Sequence, residues 1–385
     1  VSYTSALDKN SAASSFEGNV PNDGTQVYGA TSLLHDQSSE TPWANRRQIS
    51  TQDPQYLGVD TMKDKLISNA ALRKQEEFTL KNGPSVVRNI DFDSVPMDLA
   101  MHLLDLHWNR EHLSYLLTYR PAIMDSLVRS GPYVNKLLLN SIYLQSSLYS
   151  DRGPWPLDSR NQNSKGLVFY GRFKFLLPNY LDKPTLPTVV ALLTCGSCIM
   201  PYGCQSAGWA LSGMGYRLII DLACHLDSPA SSKLTAIEQE MKKRVYWGAF
   251  MSDKFQSLFL GRPPAISEST GNVSHELFDS FEELEEWTPY SDPQQLPASS
   301  ASAYPARLSY AISTFQSLLS ICKIASYMIE TFYSVNSAKI PKATLLQAKD
   351  RITNQLTHWR ESLPSWLHFY PSIDTTPPPH QIIPQ

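Results

Sequence analysis

The sequence predicts an all-α protein, a helical bundle or array flanked by disordered N-terminal and C-terminal segments. Three observations carry that expectation. Apolar residues recur at three- and four-residue spacings through most of residues 94–370, the period of a helix with one buried face. Proline and glycine punctuate these runs at the places where helices would have to stop. No alternating strand pattern of any length occurs, and no repeat period.

A chain of 385 residues is long enough to bury a sizeable core. Charged residues make up only 18%, so Ser, Thr, Asn, Gln and Pro must supply much of the surface. The formal net charge is -3 and there is no long basic run, which argues against nucleic-acid binding by this stretch itself. Five cysteines, an odd and clustered set, make no disulfide framework and fit a reducing compartment. The longest apolar stretch noted, 186–200, is interrupted by Pro187, Thr188, Thr194 and Ser197 and is too short to span a bilayer. The N-terminus carries neither an initiator Met nor an apolar signal core, which suggests a fragment of something longer.

Residues 1–55 are rich in Ser, Asn, Asp, Gln and Thr and read as a disordered linker, too polar to offset their ordering entropy. A short amphipathic helix fits 57–78. From Ser94 onward Val95, Leu99, Leu103, Leu106, Leu113, Leu116 and Leu117 keep helical spacing. Helices follow over 132–147 and 166–177, separated by a polar loop at 150–163. Thr185 is placed to cap the next helix, with Pro187 in its first turn and an end near Pro201-Tyr202-Gly203. A helix over 205–224 then returns antiparallel, as so short a connection requires.

The helix over 235–260 is the most informative. Ile237, Met241, Val245, Gly248, Ser252, Phe255 and Phe259 form one stripe, and Arg244, Trp247, Met251, Lys254 and Leu258 lie beside it. With Tyr246 and Phe250 on a third face its middle is apolar nearly all round, the mark of a central helix. Gly261, Arg262 and Pro263 read as a helix stop. Residues 276–289 are acidic and aromatic, and two further helices are expected over 306–333 and 342–363. The organisation is thus a core over 56–290, a linker over 291–305, C-terminal helices of the same domain over 306–370, and a proline-rich tail over 371–385.

Several blocks resemble the fungal-specific transcription factor domain, or middle homology region, of zinc-cluster regulators. Gly208-Trp209-Ala210, Gly213-Met214-Gly215-Tyr216-Arg217 and Asp221-Leu222-Ala223-Cys224-His225-Leu226-Asp227 are similar to its "W…G.A.R.A.DLGLH.D" signature. Glu240-Met241-Lys242-Lys243-Arg244-Val245-Tyr246-Trp247, Asp253-Lys254 and Leu260-Gly261-Arg262-Pro263 are similar to "E.RRR.FW..Y..DK..S..LGRP". Glu282-Glu283, Trp287, Trp359, Leu363-Pro364 and Leu367 fit later parts, so the likeness covers about 90–370. Ala223-Cys224 stand where Gly-Leu is commoner. The resemblance implies a nuclear regulator of RNA polymerase II genes and no enzyme. It implies that DNA is contacted through a six-cysteine zinc cluster upstream, absent from these residues, so that zinc belongs there and no cofactor or metal belongs here. Co-regulators or an inducer stay unidentified, a homodimer stays open, and no membrane partner is implied.

Cys195-Gly196-Ser197-Cys198, with Cys204, invites a zinc or redox reading. The pair sits in an apolar helical pattern without a second such pair, and free cysteine is commonly a small core residue. Cys224 and Cys322 stand apart. Arg217, Asp221 and His225 lie four residues apart on one predicted helical face, and Arg244, Asp253 and Lys254 share another helix. They are expected to form ion pairs that fix helix packing, the rival being a ligand-sensing or catalytic cluster. The stretch 276–287 is read as a solvated loop or helix, its rival being a short acidic activation segment. No GxSxG, HExxH, P-loop or GxGxxG stands anywhere in the chain. A helical ligand-binding or enzymatic domain and a stand-alone interaction module are the alternatives.

Overall fold

The computed structural model describes residues 54–82, 90–152, 164–227, 233–292, 304–370 and 376–384. The expected disorder of 1–55 therefore falls almost wholly outside the described residues, as do most of the 150–163 loop and most of the 291–305 linker. The described residues are predominantly helical. The first described element is α1 (Pro54–Asn82), which lies on α4 (Arg120–Arg129) and buries Leu66 and Ala70.

The centre is α7 (Leu186–Ile199), in which every residue except Ser197 is buried. It is enclosed by α5 (Lys136–Ser147), α8 (Gln205–Asp221) and α9 (Ala236–Leu260). Two glycines bring α7 and α8 into backbone contact. A Cβ on Gly208 would stand 2.5 Å from the Gly196 carbonyl oxygen, and one on Gly196 would stand 2.9 Å from that of Gly208. Gly215 meets Leu192 and Leu193 further along. Contacts that run backward on one helix as they run forward on the other make the pair antiparallel, turned by Gly203 in the left-handed region.

Local chemistry accounts for the ends. Asn135 accepts the Leu138 N–H at 2.8 Å and starts α5, and Thr235 accepts the Glu238 N–H at 3.2 Å and starts α9. Thr185 occupies the capping position of α7, but its hydroxyl meets the Thr188 hydroxyl at 3.2 Å instead of a backbone N–H. Gly261 ends α9 with φ of 63°, and the Arg262 N–H returns to the Ser257 carbonyl at 3.1 Å. The Arg262 guanidinium then rests over the Trp209 ring, 5.2 Å from its centroid.

Three expectations need correction. The helix over 205–224 stops at Asp221, because Ala223 turns into the left-handed region (φ 53°) and the Cys224 N–H closes onto the Ile219 carbonyl at 2.9 Å. The helix expected from 306 begins later, as α10 (Ala311–Phe332). Arg307–Leu308 instead forms a two-residue antiparallel pairing with Glu286–Trp287. The proline-rich tail holds a short ordered piece, α12 (Pro379–Ile382). There buried His380 and Gln381 bond to the Ser309 carbonyl at 2.7 and 2.8 Å, so this part of the C-terminal segment is anchored.

α10, and not 186–200, is the described helix long and apolar enough to cross a bilayer by length and composition. Here it packs between α9 and α11 (Lys342–Glu361), with Phe315, Leu318, Leu319 and Cys322 buried.

Candidate functional site

Before the middle of the chain, α2 (Met97–Leu106) passes into a π-helix, His107–Glu111, and then into the short α3 (His112–Tyr115). The wider π turn is a frequent feature of functional sites. Facing this element runs the segment 271–292, of which the acidic stretch 276–287 is expected from sequence to be solvated. It is instead a strap pressed into the helices, with Val273, Leu277, Phe278, Asp279, Glu282 and Trp287 buried.

Charge holds the strap down. Arg244, on α9 and without solvent exposure, donates from Nε to Glu240 Oε1 at 2.7 Å and from Nη1 to Glu282 Oε2 at 2.8 Å. Its Nη2 reaches the Asp279 carbonyl at 3.3 Å, and its plane lies 4.7 Å from the Tyr119 ring centroid. The other Glu240 oxygen accepts the Phe278 N–H at 2.7 Å. Tyr119 donates its hydroxyl to Asp279 Oδ2 at 2.6 Å, and Asp279 Oδ1 accepts the Phe281 N–H at 2.9 Å. On the π-helix side, His112 Nε2 lies 2.6 Å from Glu282 Oε1 and its Nδ1 lies 2.7 Å from the Thr118 hydroxyl. Each carboxylate oxygen of Glu240, Glu282 and Asp279 and each nitrogen of the Arg244 guanidinium has a partner, the condition under which buried charge persists.

The environments push the two strap carboxylates apart. Burial raises Asp279 to about 6, against the pull of Arg244 and the Tyr119 hydroxyl. Burial also pushes Glu282 upward, but Arg244 and His112 outweigh it and hold that carboxyl well below the ordinary range. His107, wholly enclosed, is driven well below the usual imidazole value by burial and so stays neutral. The far end of the strap is tied by a bidentate pair, Arg152 to Asp292 at 2.7 Å twice, and by Tyr290 OH at 2.9 Å from His102 Nδ1. Asn109 of the π-helix stitches the span between: its Nδ2 donates to the Thr288 carbonyl at 2.8 Å, and its own carbonyl accepts the Trp287 indole N–H at 2.7 Å.

The six polar residues singled out from sequence do not form one network. Arg244 belongs to the strap cluster. Asp253 and Lys254 form a separate buried pair at 2.9 Å. Asp253 accepts the Ala265 and Ile266 N–H groups at 2.9 and 3.0 Å, and Lys254 donates to the Ile266 carbonyl. That pair fixes the return of the chain after the stop at Gly261, Arg262 and Pro263. Arg217 is exposed and Asp221 partly so at the end of α8. His225 lies beyond the left-handed turn at Ala223, no longer on their helical face. The shared-face expectation fails because it extended the helix three residues too far.

Cys195 and Cys198 are buried within α7, and burial raises both thiols, Cys198 to about 12. Cys224 and Cys322 are buried and likewise raised to about 12, while Cys204 is exposed. Among the described residues no group of three or more His, Cys, Asp or Glu is placed to hold a metal ion.

Sequence reasoning missed Asn109, His112, Thr118, Tyr119 and Asp279. Glu240 could have been paired with Arg244 from their four-residue spacing, and Glu282 was noted only as part of the resemblance.

The family model described as "Fungal specific transcription factor domain" matches residues 104–361, which contain the π-helix, α9 and the strap. The nitrogen assimilation transcription factor nirA of Emericella nidulans is 27% identical over 278 residues, 70% of this chain and 30% of its own length. The nitrogen assimilation transcription factor nit-4 of Neurospora crassa is 30% identical over 282 residues, 69% of this chain and 25% of its own. The Zn(2)-C6 fungal-type transcription factor FTF1c of Fusarium oxysporum f. sp. lycopersici is 27% identical over 184 residues, 45% of this chain and 19% of its own. The chain thus spans less than half the length of these relatives. No solved structure matches it.

Proposed function

The chain belongs to the fungal-specific transcription factor domain family and is the regulatory domain of a fungal transcription factor, and from that premise we propose that it works in the nucleus by controlling the output of a zinc-cluster DNA-binding domain without carrying out a reaction itself. The observation that carries this reading is the family match across 104–361. It runs through the buried core from the end of α2 to α11, so the likeness concerns most of the helical body and not one motif.

Two physical features support the division of labour. A formal charge of -3 without a basic run gives little phosphate affinity, which supplies most non-specific DNA binding. The charged groups that α9 and the strap bring together are spent on one another, as in a scaffold that holds a shape. DNA and zinc are accordingly assigned to a zinc cluster of the kind named in FTF1c.

Fusing residues 1–385 to a heterologous DNA-binding domain tests the reading. Reporter output should differ from that of the DNA-binding domain alone, upward or downward, and equal output would sink the proposal. Unfused, the chain should not retard promoter DNA at physiological salt, and tight sequence-selective binding would overturn the assignment.

A further inference from the structure

Residues 376–384 return to the body of the molecule in one unbroken stretch, Thr376-Pro377-Pro378-Pro379-His380-Gln381-Ile382-Ile383-Pro384. Pro377 and Pro378 are buried and Pro379 is exposed. Pro378 has φ of -52° and ψ of 140°, close to polyproline II. A helix of about three residues per turn can seat two side chains on a surface and leave the third in water, as here. Burial pushes His380 down to about 4, so its ring docks neutral, and the stretch holds no Asp, Glu, Lys or Arg. It brings no formal charge to the surface it meets.

That surface comes from distant segments. Tyr304 donates its hydroxyl to the Thr376 carbonyl at 2.8 Å. Further along, His380 Nε2 donates to the Ser309 carbonyl at 2.7 Å, and Gln381 Nε2 donates to the Leu308 and Ser309 carbonyls at 3.0 and 2.8 Å. Trp287 and Tyr304 stand edge to face with centroids 5.6 Å apart, and the His380 ring meets Trp287 edge to face at 6.3 Å. The body holds this surface in shape by bonds that do not involve 376–384. The Trp287 indole N–H goes to the Asn109 carbonyl, the Ser309 N–H goes to the Glu285 carbonyl at 2.8 Å, and Arg307 lies 5.8 Å from the Tyr304 centroid. Aromatic-lined surfaces are a recurrent means of reading polyproline II segments, whose preformed shape costs little ordering entropy.

We propose that Trp287, Tyr304, Leu308 and Ser309 form a receptor site for proline-rich segments, filled in this chain by its own residues 376–384 and taken over by a partner protein that presents the same chemistry, a run of prolines followed by side-chain N–H donors. The tail is then a built-in competitor. Its tether gives it an effective concentration on the order of millimolar, so a partner segment has to prevail by affinity or by abundance. Trp287 belongs to the strap and Leu308 is paired with Glu286 of the strap, so the exchange takes place on the strap itself. That the exchange alters output rests on the function proposed above, whereas the binding does not.

A fluorescein-labelled peptide of residues 376–384 tests it on the full chain by anisotropy. Two tail variants open the site: Gln381→Glu, which sets a carboxylate against the Leu308 and Ser309 carbonyls, and His380→Ala, which deletes the bond to Ser309. Each should expose the tail to proteinase K and bind the peptide saturably, with the parent chain at least about tenfold weaker because its own tail competes. A peptide with both Pro377→Ala and Pro378→Ala should bind about tenfold more weakly than the native one. Tyr304→Phe in the opened chain should weaken the native peptide severalfold by removing one hydrogen bond, and added salt should change nothing, since no formal charge is brought to the site. The proposal is overturned if the peptide saturates neither opened variant at millimolar concentration, if the alanine peptide binds as well, or if the tail stays protected in both variants. A parent chain that sediments as a dimer and falls to monomers with added peptide would give the site to a second copy, and that too would overturn it. None of these readouts uses reporter output, so failure here and failure of the regulatory reading are separately visible.

Discussion

Helices α9 and α11 both carry many charged residues, and they use them in opposite ways. On α9, Glu240, Arg244, Asp253 and Lys254 are each at most 1% exposed. On α11 only Ala348 and Ile352 are buried, and Lys349, Asp350 and Arg351 face solvent. Charge on α11 is hydrated and costs nothing to keep. Charge on α9 has lost its water and is tolerable only because each group meets a specific partner. The same residue types therefore serve solubility in one helix and the placement of distant segments in the other.

If that contrast is right, removing Arg244 should have the largest effect. Arg244→Ala leaves Glu240 and Glu282 buried without their cation, and breaking a buried pair typically costs about 3–5 kcal/mol. Denaturant melts should show that loss or outright unfolding. The triple variant Glu240→Gln, Arg244→Met, Glu282→Gln sharpens the comparison, because it removes the charges together. It should recover part of the loss, and a triple variant worse than Arg244→Ala would mean that the ionic partners and not their desolvation dominate.

Asp253→Ala is expected to cost a similar or slightly smaller amount, about 3–5 kcal/mol, by stranding Lys254 and the Ala265 and Ile266 N–H groups. An unchanged thermal midpoint would place Asp253 with the α11 charges after all.

Asp279 gives a pH-dependent test. Its folded-state value of about 6 lies above the ordinary 3.8, so it favours folding fully below about 4, and that contribution is lost as pH rises through about 6. Glu282, held low, works in the other direction and loses its contribution only as pH falls through its depressed value. Asp279→Asn should therefore gain stability relative to the parent between pH 4 and 6, by up to about 3 kcal/mol. Paired urea melts across that range check it, and a constant difference would mean that Asp279 is not raised.

Smaller effects close the series. Ala223→Gly should stabilise by about 0.5–1 kcal/mol, since Ala223 holds the left-handed conformation that a Cβ disfavours. Lys349→Ala on α11 should fall within about 0.5 kcal/mol of the parent in the same melts, and a loss comparable to Asp253→Ala would dissolve the contrast between the two helices.

Sequence periodicity anticipated most helices because period and punctuation are local. The Gly261 stop could be read directly, and the ends of α9 lie within one residue of expectation. Where it misled, local preference lost to tertiary contact. Alanine is a strong helix former, so nothing local announced that Ala223 would leave the helix and carry His225 off its face. Acidic residues favour solvent, so the strap read as a loop in water.

What the sequence by itself determined is the all-α class, the central place of α9, the stops around Gly203 and Gly261, and the family to which these residues belong. Each follows from the spacing of apolar side chains, from the φ preferences of glycine and proline, or from blocks of fixed order. Only the tertiary structure decided which charges are buried and with whom. Arg244 meets Glu282 across 38 positions and His112 meets Glu282 across 170. A charged residue looks alike in sequence whether water or a carboxylate will solvate it, and that choice is made only when distant segments close over it.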